Sequence, residues 1–289
     1  MKESRRAFLK ELGGGTLALG VGLPLLDAVP WSSASRALST EPAVPADPAA
    51  SGPMQWGLVV DVEKCLQDEV RRAVMDACHR EHNVPRIPDP EERIDWIWSE
   101  PLERVFPDEV HAHTPPGVRG APVLVLCNHC TNPPCVRVCP TAATWKREQD
   151  GIVMMDMHRC IGCRYCMAAC PYGARSFNWR EPRDWVETDA TGKPVSDYPT
   201  RSLGVVEKCT FCAERLRVGL PPACVEAANG VPGGEGALTF GDLTDRDSNV
   251  SRALRERITF VRKVSLGTGP NVYYLLPQSI PTGAAVGTV

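Results

Sequence analysis

The sequence predicts an α+β fold of small strands and short helices joined by long loops and wrapped around inorganic centres. Three observations carry this. Thirteen of the 289 residues are cysteine, far above ordinary usage. The 27 prolines and 24 glycines interrupt the chain too often for long regular elements. Apolar stretches such as WGLVVDV and APVLVL stand just before cysteines, as strands that lead into binding loops would. The hydrophobic content of 43% is enough for a packed core. The net charge of −3, the lack of a basic block and the absence of a nucleic-acid module signature exclude nucleic acid as a partner class.

Two cysteine runs organise the chain. CNHCTNPPCVRVCP holds Cys127, Cys130, Cys135 and Cys139 before Pro140, and CIGCRYCMAACP holds Cys160, Cys163, Cys166 and Cys170 before Pro171. The second has the C-x2-C-x2-C-x3-C-P spacing in which three thiolates hold one 4Fe-4S cube and the fourth crosses to the neighbouring cluster. The first differs by two extra residues before Cys135. Crossed in this way, Cys127, Cys130, Cys135 and Cys170 form cluster A, and Cys160, Cys163, Cys166 and Cys139 form cluster B. The short gaps let three sulfurs converge on one cube, and each proline stops the following helix from extending backwards. Zinc and disulfides are the competing readings. Zinc takes four thiolates per ion and has no use for two interlocked runs that each end in proline.

Taken in order, the chain opens with MKESRRAFLKE, followed by an apolar, glycine-rich run from Leu12 to Leu26 and small residues from Trp31 to Ala37. Residues 1–37 read as a twin-arginine signal peptide with cleavage after Ala34 or Ala37, although an uncleaved anchor is also allowed. The expected location is therefore periplasmic, at the outer face of the cytoplasmic membrane. Residues 38–55 read as a linker. Residues 56–240 form the expected iron–sulfur domain, and 241–289 a C-terminal wrapping tail. A strand from Trp56 is expected to end at Cys65. The stretch LQDEVRRAVMDACHREHNVP, with Leu66, Val70, Val74 and Ala77 at helical spacing, predicts a helix where a cluster loop would otherwise stand. Residues 85–120 are rich in proline and acid and are expected as an insertion lying over the surface, with Trp96 and Trp98 packed beneath it. His111 and His113 lack further ligands in register and are expected to be solvated. His129, next to Cys130, is expected to donate a hydrogen bond near the cluster and not to ligate it. A third signal, Cys209, Cys212 and Cys224, follows, with alanine at position 228.

At these residues the chain resembles the exported four-cluster ferredoxin subunits of membrane-bound oxidoreductases, the NrfC/PsrB/DmsB-like group that serves dimethyl sulfoxide, polysulfide and nitrite reductases. The resemblance covers about residues 56 to 276, including ALTFGDLTDRDSNVSR and GTGPNVYYLL. It implies tandem, nested two-cluster ferredoxin-like modules, in which a further run that retains Cys65 and Cys78 shares ligands with the run of Cys209, Cys212 and Cys224, as the runs before Pro140 and Pro171 share ligands with each other. It also implies that Cys209, Cys212, Cys224 and Cys78 hold a cluster C. The companion site expected of that pair retains only Cys65, which is then not a ligand. Three 4Fe-4S clusters follow, bound through twelve cysteines. HREHNVP and IDWIWSEP resemble the periplasmic iron–sulfur subunits of Dsr-type complexes of dissimilatory sulfur metabolism. Such a resemblance implies an NrfD-like polytopic, quinone-interacting membrane subunit, a periplasmic multihaem cytochrome c and the other Dsr-type subunits as partners. The implied role is electron transfer with no catalytic residue. The alternatives are an electron-transfer subunit for a molybdopterin oxidoreductase and a non-redox structural metal-binding module.

Overall fold

The computed structural model describes residues 53–277. The expected signal peptide, the linker up to residue 52 and the tail from residue 278 lie outside the described residues. In chain order the strands are β1 (Trp56–Asp61), β2 (Ile97–Pro101), β3 (Pro122–Leu126), β4 (Thr144–Lys146), β5 (Val153–Met155), β6 (Ser176–Phe177), β7 (Val206–Glu207), β8 (Leu238–Asp242) and β9 (Val272–Leu275). The helices that shape the sites are α1 (Asp68–Glu81), α2 (Pro134–Arg137), α3 (Tyr165–Ala169), α4 (Ala213–Leu216), α5 (Ala223–Asn229) and α6 (Asn249–Glu256). Mixed helices and small sheets make this an α+β architecture. Among the described residues no helix is long and apolar enough to cross a membrane.

Strand β1 is apolar and buried from Gly57 onward, as the middle strand of a sheet must be. It runs antiparallel to β8, with Leu58 opposite Phe240, and parallel to β9, with Leu58 opposite Val272. It stops earlier than expected. Asp61 is buried, and its carboxylate accepts from Arg257 at 2.7 Å and from the Lys64 N–H at 3.4 Å, which turns the chain into a 3-10 turn, Lys64–Leu66, that carries Cys65. Helix α1 follows as predicted. Asp68 and Glu69 in its first turn and His79 and Arg80 in its last complement its dipole, while Val70, Val74 and Cys78 form its buried stripe. That stripe packs most extensively against α5.

Two expectations are corrected. Residues 85–106 do not lie over the surface as expected, because Ile87, Ile94, Trp96, Ile97, Leu102, Val105 and Phe106 are all buried in the main core, whereas none of residues 107–120 is buried. From the same stretch β2 pairs antiparallel with β3, placing Ile97 opposite Leu126 at the entrance to the first cysteine run. Nor does a tail begin at residue 241. Strand β8 crosses that boundary, β9 completes the sheet, and α6 buries Val250 against Val59 and Leu275. The C-terminal residues up to 277 thus belong to the central sheet and its cover.

Between these layers the chain repeats one pattern. Strand β3, a cysteine loop, α2 and β4 are followed by β5, a cysteine loop, α3 and β6, with β4 paired to β5 and β6 paired to β7.

Candidate metal centres

Each cysteine group is set by a loop that leaves a strand and turns sharply before a one- or two-turn helix. After β7 the chain passes Cys209 and takes left-handed backbone conformations at Phe211 (φ 54°) and Cys212 (φ 51°) before α4. This reversal aims amide groups at sulfur, with the Phe211 N–H donating to Cys209 Sγ and the Ala223 N–H to Cys212 Sγ, each at 3.4 Å. Cys224 comes from the first turn of α5 and Cys78 from the last turn of α1. Together Cys78, Cys209, Cys212 and Cys224 line a small void walled by Leu58, Ile97, Leu126 and Phe240.

Cys127, Cys130, Cys135 and Cys170 line a second small void, with Val153, Tyr172 and Arg175 among its other walls. Here α2 begins at Pro134, whose missing N–H is no loss at a helix start. The third group is more open. Cys139, Cys160 and Cys166 pack around Val153, Val206 and Ala143, while Cys163 in the turn before α3 is the exposed one of the thirteen cysteines. Cys160 Sγ accepts from the Gly162 N–H at 3.4 Å and the Val206 N–H at 3.5 Å. Gly162 has φ +69°, and a Cβ there would lie 2.3 Å from the Gly204 carbonyl, so this turn admits only glycine. Cys127 and Cys130 share one packed core with Cys209 and Cys224, and Cys135 shares another with Cys139, Cys160 and Cys166, so the first group adjoins both others.

Burial governs the thiols. It pushes Cys130 up to about 12 and Cys224 up to about 11, and it raises Cys78, Cys209 and Cys212, with Cys209, Cys212 and Cys224 adding to the rise at Cys78. Cys139 differs. Burial works upward there too, but main-chain hydrogen bonds at Thr144, Thr141 and Ala143 and the Thr141 hydroxyl carry it below the ordinary thiol value. Buried neutral thiols that converge on a void deprotonate when a metal centre replaces their protons. The voids, the convergent sulfurs and the N–H···S contacts therefore fit 4Fe-4S clusters.

Cys65 stands apart from all of these. It is fully buried, its Sγ donates to the Ala237 carbonyl at 3.9 Å, and its charged neighbours are Asp61, Arg71 and Lys64. Burial, reinforced by Asp61, pushes its thiol up to about 12. Arg71 donates from Nη1 to the Cys65 and Leu66 carbonyls at 2.7 and 2.6 Å, and Ala228 is sealed at 0% exposure on α5 against α1.

His129 is buried but is oriented otherwise than expected. Its Nδ1 accepts the Val153 N–H at 3.1 Å, its ring stacks on Phe211 at 3.7 Å, and Nε2 has no hydrogen-bond partner among the described residues. Burial, with Lys208 and Arg175 nearby, holds the imidazole well below its usual pKa. His111 and His113 are exposed, and no third metal-ligating side chain joins them among the described residues. Several residues with a part in the sites carried no sequence signal. His82 places Nδ1 3.8 Å from Cys78 Sγ and Nε2 2.9 Å from Glu214, between the rings of Trp96 and Tyr198. Arg175 and Lys208 are buried beside the cysteines. Isolated charged residues next to cysteines are common, and their burial depends on contacts distant in sequence.

Residues 123–184 match the 4Fe-4S dicluster domain family, a span that contains the first two cysteine runs. The chain is 41% identical to the Hdr-like menaquinol oxidoreductase iron–sulfur subunit 1 of Archaeoglobus fulgidus, over 76% of this chain and 82% of that protein. It is 35% identical to the NrfC protein of Escherichia coli over 76% of this chain and 80% of that one. The chain belongs to the NrfC/PsrB-like family of iron–sulfur subunits. A Haemophilus influenzae NrfC homologue extends the NrfC/PsrB-like similarity to 94% of both chains at 32% identity.

Proposed function

We propose that this NrfC/PsrB-like chain is the electron-transfer subunit of a membrane-bound oxidoreductase and binds three 4Fe-4S clusters. Cluster A takes Cys127, Cys130, Cys135 and Cys170. Cluster B takes Cys160, Cys163, Cys166 and Cys139, and cluster C takes Cys209, Cys212, Cys224 and Cys78. The nested, tandem arrangement of ferredoxin-like modules is part of the same proposal. The observation that carries it is the packing of three cysteine groups side by side, with Cys127 and Cys130 in one core with Cys209 and Cys224, and Cys135 in another with Cys139, Cys160 and Cys166. A row of centres in a common core is what stepwise one-electron transfer requires. When bound, the clusters supply the redox change, and this chain's residues exclude water and donate N–H groups to sulfur, two of the means by which a protein sets their potentials.

On this reading the partners are a quinone-interacting, NrfD-like membrane subunit and a multihaem cytochrome c outside the cytoplasmic membrane, reached after twin-arginine export. The finer assignment is to the DsrO-like subunits of Dsr-type complexes in sulfur metabolism, and it rests on the isolated Cys65 and on the HREHNVP and IDWIWSEP segments. Purification of the chain with its native partners tests it, and a copurifying molybdopterin subunit in place of the cytochrome would support the rival assignment. The cluster count is tested on the purified protein by iron analysis together with electron paramagnetic resonance after reduction. About twelve irons per chain and signals from reduced clusters are expected. Silence on reduction, or about sixteen irons, overturns the reading.

A further inference from the structure

Arg175 and Lys208 are among the most deeply buried charges of the molecule, 5% and 1% exposed. A buried charge is tolerated when an opposite charge faces it. The fully buried pair Arg201–Glu207, 2.7 Å apart, is an example, and Glu207 also accepts from Trp96 and Asn178 at 2.7 Å. Although Glu207 precedes Lys208 in sequence, it is thus fully engaged elsewhere.

Neither Arg175 nor Lys208 has such a partner among the described residues. Arg175 donates to the Thr144 hydroxyl at 2.8 Å and approaches Met155 Sδ at 3.7 Å. Lys208 donates from Nζ to the carbonyls of Cys209 and Val153. All of these acceptors are uncharged.

The positions of the two cations are informative. Arg175 lines the void of Cys127, Cys130, Cys135 and Cys170, and its other contacts, Thr144 and Met155, belong to β4 and β5 beside Cys139, Cys160 and Cys166. Lys208 bridges the carbonyl of Cys209, in the third group, to that of Val153, which walls the void of the first. Each cation therefore stands where two groups meet. Burial works against the Arg175 charge, but the thiols of Cys135, Cys166 and Cys127 outweigh it and raise its pKa.

We propose that Lys208, between clusters C and A, and Arg175, between clusters A and B, are positioning charges that stabilise the reduced form of both clusters they separate. A 4Fe-4S cube held by four thiolates is net anionic, and each added electron makes it more so. A fixed cation between two such centres offsets their mutual repulsion and raises both reduction potentials. Cluster A, flanked by both cations, receives the larger share. The inference rests on the three-cluster reading.

The test is a redox titration of the iron-loaded full chain, followed by electron paramagnetic resonance, for the parent, Arg175→Met, Arg175→Lys, Lys208→Met and Lys208→Arg. In each methionine variant two of the three potentials should fall, each by about tenfold or more in the reduction constant, which is about 59 mV for one electron. One of the three should fall in both variants. The charge-keeping variants should return toward the parent. Unchanged potentials at parental iron content overturn the proposal, as does an equal fall of all three, which would report a loosened structure. If a methionine variant takes up no iron, the same comparison is made between glutamine and the charge-keeping residue at that position, and equal potentials in those two overturn it. A parent without about twelve irons fails the three-cluster reading instead.

Discussion

Cys65 and Cys78 look alike in the sequence, yet their surroundings differ in kind. Cys78 faces Cys209, Cys212 and Cys224 across one void, whereas Cys65 faces Ala237, Asp61 and Arg71. Cys65→Ser should therefore keep the parental iron content of about twelve, and Cys78→Ser should lose a cluster or convert it to a 3Fe form, as iron analysis and electron paramagnetic resonance will read. Equal iron loss in the two would contradict the assignment. The Cys65 thiol also makes a chemical prediction. Because burial lifts it from 9.0 to about 12, its reactive thiolate at pH 8 is about a thousandfold scarcer than that of an ordinary thiol. Iodoacetamide should leave Cys65 unmodified in the native protein and label it after unfolding, as peptide mass spectrometry will show. The runs before Pro140 and Pro171 were legible because ligand spacing is a local property. The buried cations and the orientation of His129 were not, because they depend on contacts such as Lys208 with Val153 that span 55 positions.

Among the elements, α1 was readable because Val70, Val74 and Cys78 keep helical spacing over a full 14 residues. The strand β2 was not, because prolines and acids around Ile94, Trp96 and Ile97 mimic the composition of a surface loop. Those side chains nevertheless reach the core. Strands of two or three residues such as β4, β6 and β7 are too short to show a period. Trp96 fastens its segment to the rest by a 2.7 Å hydrogen bond to Glu207 and by a tilted ring contact with His82 at 4.5 Å. Trp96→Ala should cost about 3–5 kcal/mol, seen as a lowered unfolding midpoint, and half-buried Trp98 should cost less when truncated. A further prediction concerns α5. Ala228→Cys should not build a fourth cluster, because position 228 is sealed between α5 and α1, and at the adjoining Gly234 even a Cβ would come within 2.3 Å of the Ala228 carbonyl. An iron content of about sixteen in that variant would overturn this.

At the scale of the whole molecule, the prediction on export belongs to Arg5 and Arg6. Replacing both by lysine should leave the protein in the cytoplasm with its clusters intact, as fractionation and the visible spectrum will report. Periplasmic accumulation at the parental level would refute it. The central sheet has a bearing on how the protein is made. Its first strand lies between two of its last, β8 and β9, and Cys78 shares a void with Cys224. A nascent chain lacks both flanking strands until β8 and β9 have been made, so β1 waits unpaired while the residues between it and them are synthesised. A prematurely terminated chain that lacks residues 272–275 is left with an open sheet edge along β1, where proteases and other strands can attack it.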